Sequence, residues 1–569
     1  MTDSRIARVA LALLTCTLLW ACDRDPRTAA VEEEPTSLAP KPCWFETGDD
    51  WPLAQCYMME VPEDYSEPSG RRIQFPVVRF VAFEPDPDKT PLLHLGAGGP
   101  GASLGLEPEN ASEWLWINYA EMTVDDGRDL IVIDPRGTGM ARPRLTCDEF
   151  IDDAQTAFQR RLSRDEEARV FTFSMERCYS RLSETADLAQ YHSANIARDI
   201  DALRQQLGLE KLNLYGVSYA SRYALTMARD FPQSVRALVL NSAVFPEIKY
   251  TQQLPDDTLD AYQRGLDFCR EDKLCNSRYP DLQRRLENLV QTLDETPRTI
   301  DIKHLYSEEE YPFVLTGQRL LRVLFQALYN ENFYPRLPQV IEGLENGNEV
   351  PVQEAIGNFM NILLDPYFGD AAGVSHFCHE EAPFVDFDKA RAAAAQSGIL
   401  GGAVRADIDL LQVQCRIWAI PSAPLEEARP IRTPLPTLVL HGALDPVLDA
   451  ADADRARQKL PNHQWLLFPK LSHDVISASN CAENAAARFL DNPDTDVKEG
   501  LAECRREEIA ASQDNRQAQE AAADDGGSTT PVSPQAETAD GSANAGSEGD
   551  TAGSRNPAGS EPPQASPAQ

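Results

Sequence analysis

Two kinds of apolar pattern alternate along this 569-residue chain. Short unbroken apolar runs lie at 92–95, 130–133, 212–215, 436–442 and 464–468, and each ends at a glycine, a proline or a charged turn. Runs of that length without alternation read as buried strands. Other stretches repeat their apolar residues at helical spacing. Residues 218–229, with Leu225, Met227 and Ala228, predict a helix directly after one such strand, and 282–293, 317–329 and 337–344 predict three more. These last three fall in a long segment, 246–432, that separates the strand at 212–215 from the strand at 436–442. It contains no strongly alternating stretch and is predicted to be a helical cap.

The strand ends carry the candidate chemistry. At Gly216, Val217, Ser218, Tyr219 and Ala220 a strand breaks into a helix with small residues on either side of a serine, the context that projects a hydroxyl out of a tight bend. Alone such a pentapeptide is weak, and an ordinary loop serine fits it equally well. Support comes from two later strand ends. Asp445 stands just beyond the run ending at Gly442, and His473 just beyond the run ending at Phe468. A serine hydroxyl is a poor nucleophile until a base takes its proton, and that base needs a carboxylate to fix its tautomer, so Ser218, His473 and Asp445 predict acyl transfer. His441 and His463 read as structural or solvated, and Asp449, Asp452 and Asp454 as a solvated helix face.

Upstream, the strand at 92–95 runs into Gly98, Gly99, Pro100 and Gly101, where backbone N–H groups are not covered by side chains. A main-chain donor at Gly98 or Gly99, with the N–H of Tyr219, predicts an oxyanion hole. No Lys-Ser/Thr pair follows the glycines, as a phosphate loop requires. Asp134 and Arg136, in the charged turn ending at Gly139, read as structural supports beside the site.

Taken in order, Gly98-Gly99-Pro100-Gly101, the turn from Asp134 to Gly139, Gly216–Ala220, Gly442–Pro446 and Ser472-His473 resemble the prolyl-aminopeptidase and tripeptidyl-aminopeptidase family of serine exopeptidases, in its secreted branch. Residues 61–65, the Cys378 to Phe384 stretch, Cys415–Trp418 and the segment closing at Cys504 add to the resemblance, which covers 43–504. It departs at Ala220, at Ala141 and at Leu448-Asp449. The resemblance implies an α/β-hydrolase fold: a mostly parallel central sheet flanked by helices, with a large helical cap insertion. The expected division is a first core part at 43–245, the cap at 246–432, and a second core part at 433–504 carrying the acid and the histidine. It also implies peptide substrates with free N-termini, no cofactor, and Glu380 and Glu381 as carboxylates that pair with the substrate ammonium. A carboxylesterase with the same triad, and a surface-anchored binding protein with a degenerate site, are the alternatives.

The chain ends and the cysteines bear on location. Arg5 and Arg8 precede an apolar stretch at 9–21, which predicts a signal peptide over 1–21. Leu19, Trp20, Ala21 and Cys22 resemble a bacterial lipobox, so Cys22 is the expected lipid attachment point of an exported lipoprotein on the periplasmic or cell-surface side of a membrane. Residues 22–42 then form a tether. Setting aside Cys16 and Cys22 leaves ten of the 12 cysteines, an even number that suits an oxidising compartment. Sequence proximity and the resemblance imply the pairs Cys43–Cys56, Cys147–Cys178, Cys269–Cys275, Cys378–Cys415 and Cys481–Cys504. The spacing offers no zinc motif. A formal charge of −37 disfavours nucleic acid as a partner, and none is expected, because phosphates would be repelled and no basic stripe offsets this. From 505 to 569 large aliphatics all but vanish, and an acidic disordered tail is expected.

Overall fold

A computed structural model describes residues 36–96, 98–303 and 310–506. The leader, Cys22, most of the expected tether and the tail from 507 onward lie outside the described residues.

The strands are β1 (Ser37–Lys41), β2 (Ala54–Pro62), β3 (Arg72–Phe80), β4 (Leu92–His94), β5 (Leu130–Ile133), β6 (Leu212–Val217), β7 (Val235–Asn241), β8 (Arg298–Lys303), β9 (Glu310–Leu315), β10 (Thr437–Gly442) and β11 (His463–Phe468). Nine of them form one sheet in the order β1-β2-β3-β5-β4-β6-β7-β10-β11. From β5 to β11 every neighbouring pair is parallel, while β1, β2 and β3 add an antiparallel edge. The expected mostly parallel sheet is therefore present.

Alternate residues of the central strands enter opposite faces, as strand geometry requires. Leu93, Ile131, Leu214, Leu240 and Val439 pack under the helices Ser193–Gln206, Ala220–Asp230 and Ala450–Arg457. Leu92, Val132, Tyr215, Val239 and Leu440 pack under the helix Asn480–Asp491. Both faces are covered, which is why these strands read as continuous apolar runs. Each fully buried aliphatic contributes roughly 1.5–3 kcal/mol.

Three expectations are corrected. Residues 37–41, placed in the tether, pair with β2 in register from Ser37↔Glu60 to Lys41↔Cys56. The cap segment is not purely helical, since β8 and β9 form an antiparallel pair of their own. Ile300 and Ile302 point inward while Thr299, Asp301 and Lys303 are exposed, an alternation too short to stand out among helical neighbours. The cap also begins earlier than 246. Helices Asp148–Phe158 and Arg164–Leu182 bury Phe158 and Phe171 in the same apolar cluster as Leu286, Phe313, Leu321 and Phe359. The Phe158 ring stacks on Phe313 at 5.4 Å, and Arg319 pairs with Glu167 at 2.9 Å. The remaining predicted helices stand at Leu282–Glu295, Gly317–Ala327 and Leu337–Glu345.

Candidate active site

β6 lies between β4 and β7 and delivers Ser218 at its carboxyl end, with a φ of 53°. A serine in the left-handed region is strained, and the surroundings hold it there. Ser218 N–H donates to the Asn241 carbonyl of β7 at 2.9 Å, and Ser221 Oγ donates to the Ser218 carbonyl at 2.5 Å. The bend closes because position 216 has no side chain: a Cβ on Gly216 would stand 2.6 Å from the Ala220 carbonyl oxygen.

Asp445 and His473 come from the loops after β10 and β11. The His473 Nδ1–H donates to Asp445 Oδ2 at 2.8 Å. The other oxygen of Asp445 accepts from the N–H groups of Val447 and Leu448 at 2.9 and 3.0 Å. Burial opposes its charge, yet the His473 imidazole holds Asp445 down at about 2. Burial likewise disfavours the imidazolium, but the Asp445 carboxylate outweighs it and raises the His473 pKa above 6.5. Ser218 and His473 line one cavity of about 1260 Å³. No hydrogen bond joins them among the described residues, and such bonds commonly tighten only with substrate present.

Gly98, Gly99 and Tyr219 line that cavity as well, so all three expected oxyanion positions face the same space as Ser218. Asp134, just past β5, is fully buried and accepts from Leu104 N–H at 2.9 Å and Met140 N–H at 3.0 Å. Burial and then the neighbouring Glu107 push its pKa up to about 7. Arg136 binds Asp199 through two nitrogens, at 2.7 and 2.6 Å. Its remaining bonds go to backbone carbonyls, so both residues act as supports. His441 is bound to the Leu448 carbonyl, His463 to that of Leu460, and Asp449 caps the helix Ala450–Arg457.

The two cap carboxylates part company. Glu380 is buried and fully engaged: Oε2 accepts from Arg222 Nε at 2.7 Å, and Oε1 meets Ser193 N–H, Ser193 Oγ and His376 Nδ1 at 3.0, 2.9 and 2.7 Å. Burial works against its charge, but Arg222 first and His376 next hold it well below the usual carboxylate range. The expectation that Glu380 meets a substrate ammonium is therefore corrected, because no oxygen is left to offer. Glu381 does line the cavity, with Oε1 accepting from the N–H and Oγ1 of Thr251 at 2.8 and 2.6 Å.

Cap residues that the sequence does not single out steady the acid and the base. The Tyr329 ring packs on His473 at 5.1 Å and its carbonyl accepts His473 N–H at 3.4 Å. Arg264 Nη2 donates to the Asp445 carbonyl at 2.7 Å. Nothing local in sequence marks either, since the relation exists only once the cap has folded over the core. Among the described residues no cluster of His, Cys, Asp or Glu is placed to hold a metal ion. Five disulfides join Cys43–Cys56, Cys147–Cys178, Cys269–Cys275, Cys378–Cys415 and Cys481–Cys504, the pairing that the resemblance implies. Among the described residues no helix is long and apolar enough to cross a membrane.

Residues 95–477 match the family described as alpha/beta hydrolase fold. Among curated proteins, serine protease Hip1 of Mycobacterium tuberculosis is 26% identical over 476 residues, covering 77% of this chain and 85% of that protein. Tripeptidyl aminopeptidase of Streptomyces lividans is 31% identical over 255 residues, 41% of this chain and 44% of its own. Carboxylesterase B of Mycobacterium tuberculosis is 26% identical over 350 residues, 58% of this chain and 61% of its own.

Proposed function

The chain belongs to the alpha/beta hydrolase fold family and is a serine hydrolase of that type, and from that premise we propose that it is an exopeptidase releasing short peptides from free N-termini. Ser218 attacks the substrate carbonyl while His473 takes its proton, and Asp445 stabilises the imidazolium that forms. The tetrahedral oxyanion is held by backbone N–H groups at Gly98 or Gly99 and Tyr219. His473 then protonates the departing amine, and water frees the acyl-enzyme by the same steps in reverse.

The observation that carries this reading is the Glu381 carboxylate on the wall of the cavity that Ser218 and His473 share. A half-buried carboxylate pairs with an ammonium by a charge-assisted hydrogen bond and loses that partner when the N-terminus is blocked. Carboxylate side chains also outnumber guanidinium groups around the cavity, which favours a cationic ligand end. The likeness to Carboxylesterase B supports a second reading, ester hydrolysis with the same triad. Free-amine and N-acetylated chromogenic tripeptides, assayed beside a short-chain nitrophenyl ester, separate the two. Turnover of free-amine but not N-acetylated peptides, with or without ester turnover, supports the exopeptidase, and ester turnover with no peptide turnover overturns it. Lipid attachment at Cys22 is proposed on the lipobox resemblance, and acyl labelling that survives Cys22→Ser removes it.

A further inference from the structure

The loop carrying Gly98 and Gly99 is gripped from two sides. On the core side Asp134 binds Leu104 N–H at its end. On the other side lies a strip of the cap, residues 366–373. Gly369 N–H donates to the Gly101 carbonyl at 2.8 Å, and Gly139 N–H donates to the Tyr367 carbonyl at 3.0 Å. Thr146 Oγ1 reaches the carbonyls of Pro366 and Phe368 at 3.1 and 2.8 Å, and Cys147 N–H donates to Asp370 Oδ2 at 3.0 Å.

Close backbone approach makes this strip more than a neighbour. A Cβ on Gly101 would stand 2.5 Å from the Gly369 oxygen, one on Gly369 would stand 2.4 Å from the Gly137 oxygen, and one on Gly373 would stand 2.5 Å from the Pro100 oxygen. Gly373 lies within the helix Asp370–Glu380, where glycine is a poorer choice than alanine. Its presence there runs against local preference, and the contact with Pro100 supplies the reason.

We infer that the cap strip 369–373 is a positioning element for the oxyanion loop, interlocked with it through glycines so that the main-chain donors at Gly98 and Gly99 stand correctly for the transition state. The inference rests on the hydrolase reading. The oxyanion forms only as the reaction proceeds, so a displaced oxyanion loop lowers kcat more than it raises KM. Restoring an ordinary contact at Pro100 after adding a methyl at 373 needs a shift of roughly 1 Å, and a misplacement of that size costs about a hundredfold in rate.

The test compares Gly373→Ala and Gly369→Ala in the full chain with Gly357→Ala, whose added Cβ meets nothing in another cap helix. The measurements are kcat and KM on a nitrophenyl ester, the rate of serine labelling by a fluorophosphonate, and the thermal midpoint. Expected is a fall of about 10–100-fold in kcat and labelling rate for Gly373→Ala, with KM within about twofold of wild type, a folded protein whose thermal midpoint falls only modestly, and wild-type behaviour for Gly357→Ala. A folded Gly373→Ala with wild-type kcat overturns the inference, as does a loss confined to KM or a variant that fails to fold, since only the loop should have to move. If Gly369→Ala does not fold, Gly373→Ala decides alone. Wild-type protein that neither hydrolyses the ester nor takes the label removes the hydrolase reading, and this inference with it. Active wild type beside an equally active Gly373→Ala removes this inference only.

Discussion

Ser218 occupies a backbone region that side-chain-bearing residues seldom enter, and strain of that kind persists where surrounding bonds over-determine it. Ser218→Ala is expected to abolish fluorophosphonate labelling and to lower turnover by at least about 10³-fold with the fold intact by circular dichroism. The pH dependence follows from the His473–Asp445 pair. Only neutral imidazole accepts the serine proton, so kcat/KM should rise with pH through a midpoint above 6.5. Asp445→Asn takes away the charge that raises that midpoint and leaves the burial that lowers it, so the residual activity should titrate at lower pH. A midpoint that does not move would separate Asp445 from the base. Glu381 is tested by substrate rather than by pH: Glu381→Gln is expected to raise KM for free-amine peptides about tenfold or more and to leave ester turnover within about twofold.

At the scale of elements, the helix that starts behind Ser218 is bolted to the cap by Arg222 and Glu380, a pair with side-chain exposures of 4% and 1%. Removing one partner leaves a charge in a dry place, and Arg222→Leu should cost about 3–5 kcal/mol in urea denaturation. The folded-state pKa of Glu380 lies below its ordinary value of 4.5, so its contribution is present above that pH and is lost as pH falls below it. Glu380→Gln should therefore flatten the acid side of the stability profile. What could be read from the chain tracks how local the signal is. The turn at Gly216–Ala220 and the strand-end positions of Asp445 and His473 were legible because one bend or one run defines each. The antiparallel pair β8–β9 was hidden by its brevity. Helices Asp148–Phe158 and Arg164–Leu182 went unassigned to the cap because their partners, Phe313 and Phe359 among them, lie far along the sequence. Glu380 and Glu381 are adjacent in sequence and look equivalent, yet one meets Arg222 and the other the cavity. A helix end that turns between two neighbouring residues separates them, and no pattern of residue types records that turn.

For the molecule as a whole, disulfides tie the cap where the site depends on it. Cys378–Cys415 closes a separation of 37 residues and sits just before Glu380 and Glu381. Replacing both cysteines by serine should cost about 2–4 kcal/mol and raise KM for free-amine peptides, with ester kcat little changed. Thermal denaturation with paired kinetics reads both effects. The cap itself comes from two pieces of chain, one before the β6 strand and one after β7, which meet in a shared apolar cluster. Its selectivity is thus not portable as one cassette. A chimera that exchanges only 246–432 with a relative would set a foreign half against native Phe158 and Phe171, so transplanting substrate preference calls for two grafts made together.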